Sequence, residues 1–163
     1  MGSKSRSSKW KVITFIVIFL VLGFLIRPPV AGGKLTSLWG IRFSGIGGFF
    51  HSGSDIGQAL GTPVTPASIG TVKQTGYDDQ RGNFVKISHL GIMETRYYHL
   101  DSITVSAGEN VNYKSVIGTL GNTGTSTGPH LHLEIRLIGI PLPAYLLTLP
   151  GNILQNLTKR LPL

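Results

Sequence analysis

Short runs of alternating apolar and polar residues, separated by glycine and proline, fill most of the chain after residue 33. A period of two, with many β-branched and aromatic residues, is typical of strands that bury one face. The pattern predicts strands at residues 70–75, 83–90, 94–100, 115–120 and 131–138. No helical period of useful length occurs between residues 33 and 140. We therefore expect a mainly β domain that includes a hairpin around Gly91 and Ile92.

The N-terminal residues follow a different pattern. Residues 12–26 form an apolar run without a charge, and the residues before it include Lys4, Arg6, Lys9 and Lys11. As a helix this run would be about 22 Å long, which is short for a hydrocarbon core of ~30 Å. We interpret the hydrophobic helix as a membrane anchor, with the apolar core of a cleaved signal peptide as the alternative. In both cases the basic flank keeps the N-terminus in the cytoplasm and sends the following residues across the membrane.

These patterns divide the chain into three parts. Residues 1–32 hold the basic N-terminus and the anchor or signal segment, residues 33–138 form the β domain, and residues 139–163 form a tail rich in proline and leucine. Prolines this dense prevent a long helix in the tail. Two interpretations of the tail remain open, an extended arm that packs on the domain and a segment that rests on a membrane surface.

The formal net charge of +8 comes mostly from the N-terminal part. Residues 1–34 contain six Lys and Arg and no acidic residue, whereas the rest of the chain has nine Lys and Arg against seven Asp and Glu. A nucleic-acid-binding domain needs a basic face, so this balance argues against nucleic acid as a partner. The chain has no cysteine, which excludes disulfides and thiolate metal ligands.

Histidines provide the candidate chemistry. His130 and His132 lie two positions apart on a predicted strand, so both side chains face the same side. Upstream, His51 and Asp55 are four positions apart in a glycine-rich stretch. Two imidazoles and one carboxylate suit tetrahedral zinc with one position open to water, whereas a calcium site would need more carboxylates. The spacing therefore predicts a catalytic zinc site.

Two further histidines lie on the predicted hairpin. His99 is near the end of the second strand, where alternation places it on the same face as Tyr97 and opposite Tyr98. A neutral imidazole near a metal can accept or return a proton close to pH 7. For His89, on the neighbouring strand, we favour a structural role as a hydrogen-bonded core residue.

Several motifs together carry a resemblance to a known family. They include HSGSDI at residues 51–56, GNFV at 82–85, TRYYHL at 95–100 and STGPHLHLE at 126–134. With these motifs the chain resembles the M23 zinc metallopeptidases, the lysostaphin- and LytM-like peptidoglycan endopeptidases, from about residue 35 to residue 136.

The resemblance implies a fold, a site and a substrate. The fold is a small β-rich domain whose antiparallel sheet floors a long groove. The resemblance implies that His51, Asp55 and His132 hold the zinc ion and that His99 and His130 are the catalytic histidines. The expected activity is hydrolysis of cross-links or stem peptides in bacterial cell-wall peptidoglycan. We also expect Tyr97 and Asn83 to line the substrate groove.

The chain departs from the family pattern at three positions. Ser54 stands where an aliphatic residue is usual, Tyr98 where a small residue is common, and Pro66 where alanine is usual. None of them is an expected ligand, but Tyr98 is expected to crowd a core position. The alternative function is a non-catalytic LytM-like regulator or wall-binding component of an envelope-spanning secretion or conjugation machine. Both functions place the domain outside the cytoplasm, in the bacterial cell envelope, with an envelope-complex partner possible.

Overall fold

Antiparallel strands are the main regular structure in the part of the chain that the structure describes. The computed structural model describes residues 26–41 and 50–144, and from residue 27 onward these belong to one compact unit. The strands in these ranges are β1 (Lys34–Ser37), β2 (Gly40–Ile41), β3 (Phe50–His51), β4 (Ser54–Gly57), β5 (Pro63–Val64), β6 (Gly70–Asp78), β7 (Gly82–His89), β8 (Met93–Ile103), β9 (Asn110–Val111), β10 (Gly118–Leu120), β11 (His130–Leu137) and β12 (Ile140–Leu142). No helix occurs in residues 27–41 or 50–143, which confirms the mainly β prediction.

One sheet contains most of these strands. Its order is β1, β4, β11, β8, β7, β6, β9, and every neighbouring pair is antiparallel. β12 pairs with β11, and β10 joins the far part of β8 to β5, while β2 and β3 form a separate ribbon. The order places β11, which carries His130 and His132, between β4, which carries Asp55, and β8, which carries His99.

The predicted strands all occur, with some differences in length. β7 and β8 pair as the expected hairpin, and the turn between them has positive φ at Leu90 and Gly91. The strand predicted at 115–120 begins only at Gly118, and β8 runs three residues beyond its predicted end. β12 lies within the predicted tail, so the sheet continues past residue 138.

The predicted N-terminal hydrophobic segment at residues 12–26 lies, apart from its last residue, outside the described ranges, and so does the tail from residue 145 onward. Within those ranges, no helix has the length and apolar character that a membrane crossing requires.

Strand β11 contributes to the core with one face and to the candidate site with the other. Leu131, Leu133 and Ile135 have no exposed surface. Full burial of such side chains stabilises the fold by about 1.5–3 kcal/mol each. The intervening residues, which include His130 and His132, point to the opposite face. Because the two sets alternate, the packing of the leucines fixes the side from which the histidines project.

A chain of buried hydrogen bonds joins β7, β8 and residue 67. The His89 ring donates from Nδ1 to the Ile69 carbonyl at 2.6 Å and accepts at Nε2 from the Thr95 hydroxyl at 2.8 Å. That hydroxyl accepts from the Tyr97 hydroxyl at 2.9 Å, which in turn accepts from the Ala67 N–H at 2.7 Å. Every donor has an acceptor only when His89 is neutral. This confirms a structural role for His89.

Because the buried hydrogen bonds require a neutral His89, the free energy of unfolding should depend on pH. Burial lowers the pKa of His89 in the folded state, whereas the unfolded chain takes up a proton near pH 6.5. Below that pH the unfolded state binds more protons, so the free energy of unfolding falls by up to about 1.4 kcal/mol per pH unit from this group. Urea unfolding at about pH 7 and about pH 5.5, with chelator present, should show a smaller loss for His89→Gln than for the natural chain. Equal losses would contradict the assignment.

Candidate metal centre

Strand register brings the site residues together. Asp55 on β4 lies directly beside His132 on β11, and Tyr98 on β8 lies beside His132 on the other side. His51 ends β3, and the short turn through Gly53 leads from it into β4. Neighbouring strands are about 4.8 Å apart, so this register places the side chains within reach of one another.

Three donor atoms converge on one point. His51 Nε2 lies 3.0 Å from Asp55 Oδ1 and 3.0 Å from His132 Nδ1, and His132 Nδ1 lies 2.8 Å from the same carboxylate oxygen. Ligand atoms on tetrahedral zinc are roughly 3.3 Å apart, so a small outward shift fits them to the ion. These residues form the group that could hold a metal ion within the described ranges.

The tautomer of His51 favours a cation at this point. Its Nδ1 donates to the Leu38 carbonyl at 2.7 Å, so the lone pair of the neutral ring lies on Nε2, directed at Asp55 and His132. Burial opposes ionisation of Asp55, but the hydrogen bond and the charge supplied by the neighbouring His132 ring outweigh it and hold the Asp55 pKa well below its usual range. Two imidazole nitrogens and an ionised carboxylate are the donor set of a zinc or similar divalent site.

Glu134 lies behind the His132 ring and supports it. Its Oε1 lies 3.8 Å from His132 Nε2, on the side of the ring away from Asp55. The carboxylate also accepts from the Ser52 hydroxyl at 2.5 Å and from Arg136 Nη1 at 2.9 Å. Burial alone would raise the Glu134 pKa, but these donors and His132 lower it to about 2. A charged carboxylate behind a metal-binding histidine fixes the ring and increases its basicity.

Glu134 had no role in the sequence-based prediction. It lies two positions after His132 on the same strand, and that spacing was the available signal.

Two more histidines line the same pocket. His99 Nδ1 donates to the Thr123 carbonyl at 2.8 Å, and His130 Nδ1 donates to the Gly128 carbonyl at 2.8 Å. Their ring centres are 4.8 Å apart, and His130 Nε2 lies 3.8 Å from Asp55 Oδ1. With each Nδ1 hydrogen committed to a carbonyl, each Nε2 remains to exchange a proton. Burial lowers the pKa of His99 to about 4, which leaves its ring neutral at pH 7.

The expected alternation on β8 is wrong at His99. The backbone there has a φ of 63°, in the left-handed region, so Tyr98 and His99 both line the pocket. Tyr98 stacks on the His132 ring with centres 5.5 Å apart and planes 17° apart, and it is buried in the core as well as lining the pocket wall. A positive φ in a histidine is uncommon and is often found at functional sites.

Neither expected groove residue lines the pocket. Tyr97 has no exposed surface and belongs to the buried hydrogen-bond chain with Thr95. The Asn83 side chain donates to the carbonyls of Leu100 and Asp101 at 3.1 and 3.0 Å, which joins β7 to β8. The Tyr97 prediction was wrong because alternation from His99 fails at the positive φ of that residue. The Asn83 prediction stays a prediction for the groove beyond this pocket, although its side chain serves the backbone.

Gly53 leaves the space that the metal centre needs. A Cβ at this position would lie 2.5 Å from the Leu133 carbonyl oxygen and 2.6 Å from His132 Nε2. We expect Gly53→Ala to push His132 aside and weaken Zn²⁺ binding by roughly 10–100-fold, as loss of a ligand's supporting contacts does. Competition with a chromogenic chelator measures the affinity.

The control for Gly53→Ala lies on the same strand as Asp55. A Cβ at Gly57 would meet chiefly the Thr36 methyl group at 2.8 Å, on an exposed side chain, and none of the three ligand side chains. Gly57→Ala should therefore keep its Zn²⁺ affinity. Equal affinities in the two variants would show that Gly53 has no part in placing the ligand.

Comparisons with known proteins agree with this geometry. The family model described as peptidase family M23 matches residues 49–143. The peptidoglycan DD-endopeptidase ShyC of Vibrio cholerae is 43% identical over 90 residues, which are 55% of this chain and 21% of that protein. The chain thus spans about a fifth of the length of this relative.

Solved structures share the fold. A zinc-containing peptidase from Vibrio cholerae superposes with a TM-score of 0.68 and 34% identity, covering 74% of this chain and 39% of that one. The catalytic domain of lysostaphin from Staphylococcus simulans gives a TM-score of 0.65 and 28% identity, covering 77% of this chain and 94% of that one. With a family model that matches more than half of its residues, the chain belongs to peptidase family M23.

Proposed function

We propose that this protein is a zinc-dependent endopeptidase that hydrolyses peptide bonds in the cross-links or stem peptides of bacterial peptidoglycan. The observation that carries the proposal is the convergence of His51, Asp55 and His132 on one point, with two further histidines beside it. Family membership and the name of the Vibrio cholerae relative support the substrate class.

The donor set supports zinc as the metal. When bound, zinc supplies Lewis acidity toward the scissile carbonyl and the attacking water. His51 Nε2, His132 Nδ1 and one Asp55 oxygen would hold it, while Glu134 keeps the His132 ring in place. Three protein ligands leave a position open, as catalytic zinc sites require.

The remaining two histidines carry the proton chemistry in this proposal. His99 and His130 each hold their Nδ1 hydrogen on a backbone carbonyl, so Nε2 is the atom that accepts a proton from water. One ring takes that proton and returns it to the leaving amine, and the other donates to the oxyanion in its protonated form, which carries a hydrogen on Nε2 as well as on Nδ1. The backbone bonds keep these two rings oriented before substrate arrives, and the Tyr98 stack does the same for the His132 ring.

The cellular context of the proposal comes from the sequence. We propose that the domain works on the outer side of the cytoplasmic membrane, anchored through the apolar run at residues 12–26 with its basic flank. We propose an N-terminal part at residues 1–32, a peptidase domain that starts at residue 33 and includes β12, and a tail after that strand. An anchored enzyme of this kind would act on the wall close to the membrane.

Digestion of purified cell-wall sacculi tests the function. The full chain, loaded with Zn²⁺, should release soluble muropeptides whose masses identify the bond that is cut. Addition of a chelator should stop release, and renewed Zn²⁺ should restore it. The proposal fails if the loaded protein releases nothing or if release is indifferent to the chelator.

A further inference from the structure

Arg81 lies at the pocket without a role in the chemistry described so far. Among the described residues that line the pocket it is the one Lys or Arg. The two carboxylates of the pocket have other partners, since Asp55 faces the imidazoles and Glu134 accepts from Ser52 and Arg136. The guanidinium is therefore not needed to neutralise either of them.

The guanidinium is separated from the metal centre by one aromatic ring. Its central carbon lies 5.6 Å from the centre of the Tyr98 ring, and that ring stacks on His132 at 5.5 Å. An extended peptide advances about 3.3–3.6 Å per residue. A substrate group within about three residues of a bond held over the metal centre can thus reach Arg81.

The turn between β6 and β7 holds Arg81 in position. Asp78 Oδ1 accepts from the backbone N–H groups of Gln80 and Arg81 at 3.1 and 2.7 Å, and its Oδ2 accepts from Arg81 Nη1 at 2.9 Å. A guanidinium carries five N–H groups in a planar fork, so donors remain for a second carboxylate. The side chain is 43% exposed, which leaves it accessible to a ligand.

Backbone hydrogen bonds join the same turn to His99 and to the loop that precedes His130. The Arg81 carbonyl accepts from the His99 N–H at 2.8 Å, and the Gln80 carbonyl accepts from the Thr125 N–H at 3.0 Å. Gly82 follows with a φ of 63°, and a Cβ there would lie 2.2 Å from Thr123 Oγ1. The close contact fixes the distance between Arg81 and the histidines before a ligand binds.

We propose that Arg81 binds a free carboxylate of the substrate peptide and makes the enzyme select acidic peptides over their amides. The inference rests on the proposed function. A planar guanidinium matches the two oxygens of a carboxylate, and such charge-assisted pairs are stronger and more directional than neutral hydrogen bonds. The substrate is accordingly a wall peptide with an ionised carboxylate within about three residues of the bond that is cut.

A pair of matched substrates tests this inference. Cross-linked muropeptides are compared with the same muropeptides after their carboxylates have been converted to carboxamides. The Zn²⁺-loaded natural chain should cleave the acid form with a kcat/KM about ten-fold or more above that of the amide form. Arg81→Gln should lose that preference by slowing only on the acid form, and Arg81→Lys should keep part of it.

The controls separate charge from fold. Lys114→Gln removes the same charge from an exposed position that does not line the pocket, so it should retain the preference. Thermal unfolding of the Arg81 variants identifies loss of structure. If the natural chain and Arg81→Gln cleave acid and amide forms with equal efficiency, the Arg81 inference is overturned while the peptidase function stands. If the natural chain cleaves neither form, both are overturned.

Discussion

His132→Ala is expected to abolish metal binding and peptide hydrolysis together. The substitution removes the ligand atom that lies 2.8 Å from Asp55 and 3.0 Å from His51, and it leaves the Glu134 carboxylate without its imidazole partner. Without the metal the attacking water loses its activation, so we expect muropeptide release to fall by at least about 10³-fold.

The measurement combines metal content with activity. Elemental analysis of the purified variant should find no stoichiometric zinc, and added Zn²⁺ should not restore hydrolysis. His89→Gln provides the matched control, because it removes a buried histidine that lies outside the pocket. This control should keep both zinc and activity while it remains folded. Hydrolysis by His132→Ala within ten-fold of the natural rate would refute the proposed centre.

His99→Asn is expected to separate catalysis from metal binding. Asparagine tolerates the left-handed backbone that His99 adopts, at a φ of 63°, so the local fold should persist. Its amide cannot accept and return a proton as the imidazole does. We expect kcat to fall by roughly 10²–10⁴-fold, the usual contribution of a positioned proton-transfer group.

Two readouts distinguish this from general damage. The Zn²⁺ affinity of His99→Asn should match that of the natural chain, because His99 is not among the three converging donors. The thermal midpoint should also stay close to the natural value. A variant that retains full kcat would show that the proton passes through another group, whereas loss of zinc would give His99 a place in the metal centre.

Predictions made from alternation were reliable where the backbone is regular. On β11 the period of two correctly placed His130 and His132 on one side and Leu131 and Leu133 on the other. The same rule failed on β8, where the positive φ at His99 turned two successive side chains toward the pocket. No feature of the local sequence signals that conformation, because contacts with the neighbouring loop impose it.

The supporting residues were harder to predict than the ligands. Glu134 and Tyr98 act through the ring of His132, one from behind and one from its face. Arg81 comes from a turn whose position depends on its contacts with a loop about 40 residues away. Residue type gives little indication of such roles, since charged and aromatic residues at strand ends are common.

The sequence alone determined the strand periodicity, the hairpin and the identity of the chemical groups, because each depends on a few neighbouring residues. It also carried enough family motifs to suggest which histidines belong with Asp55. Tertiary structure decided the registers that set His132 between Asp55 and Tyr98, the backbone reversal at His99 and the approach of Arg81. Those features arise from hydrogen bonds and packing between segments that are distant along the chain, and such contacts exist only once the sheet has formed.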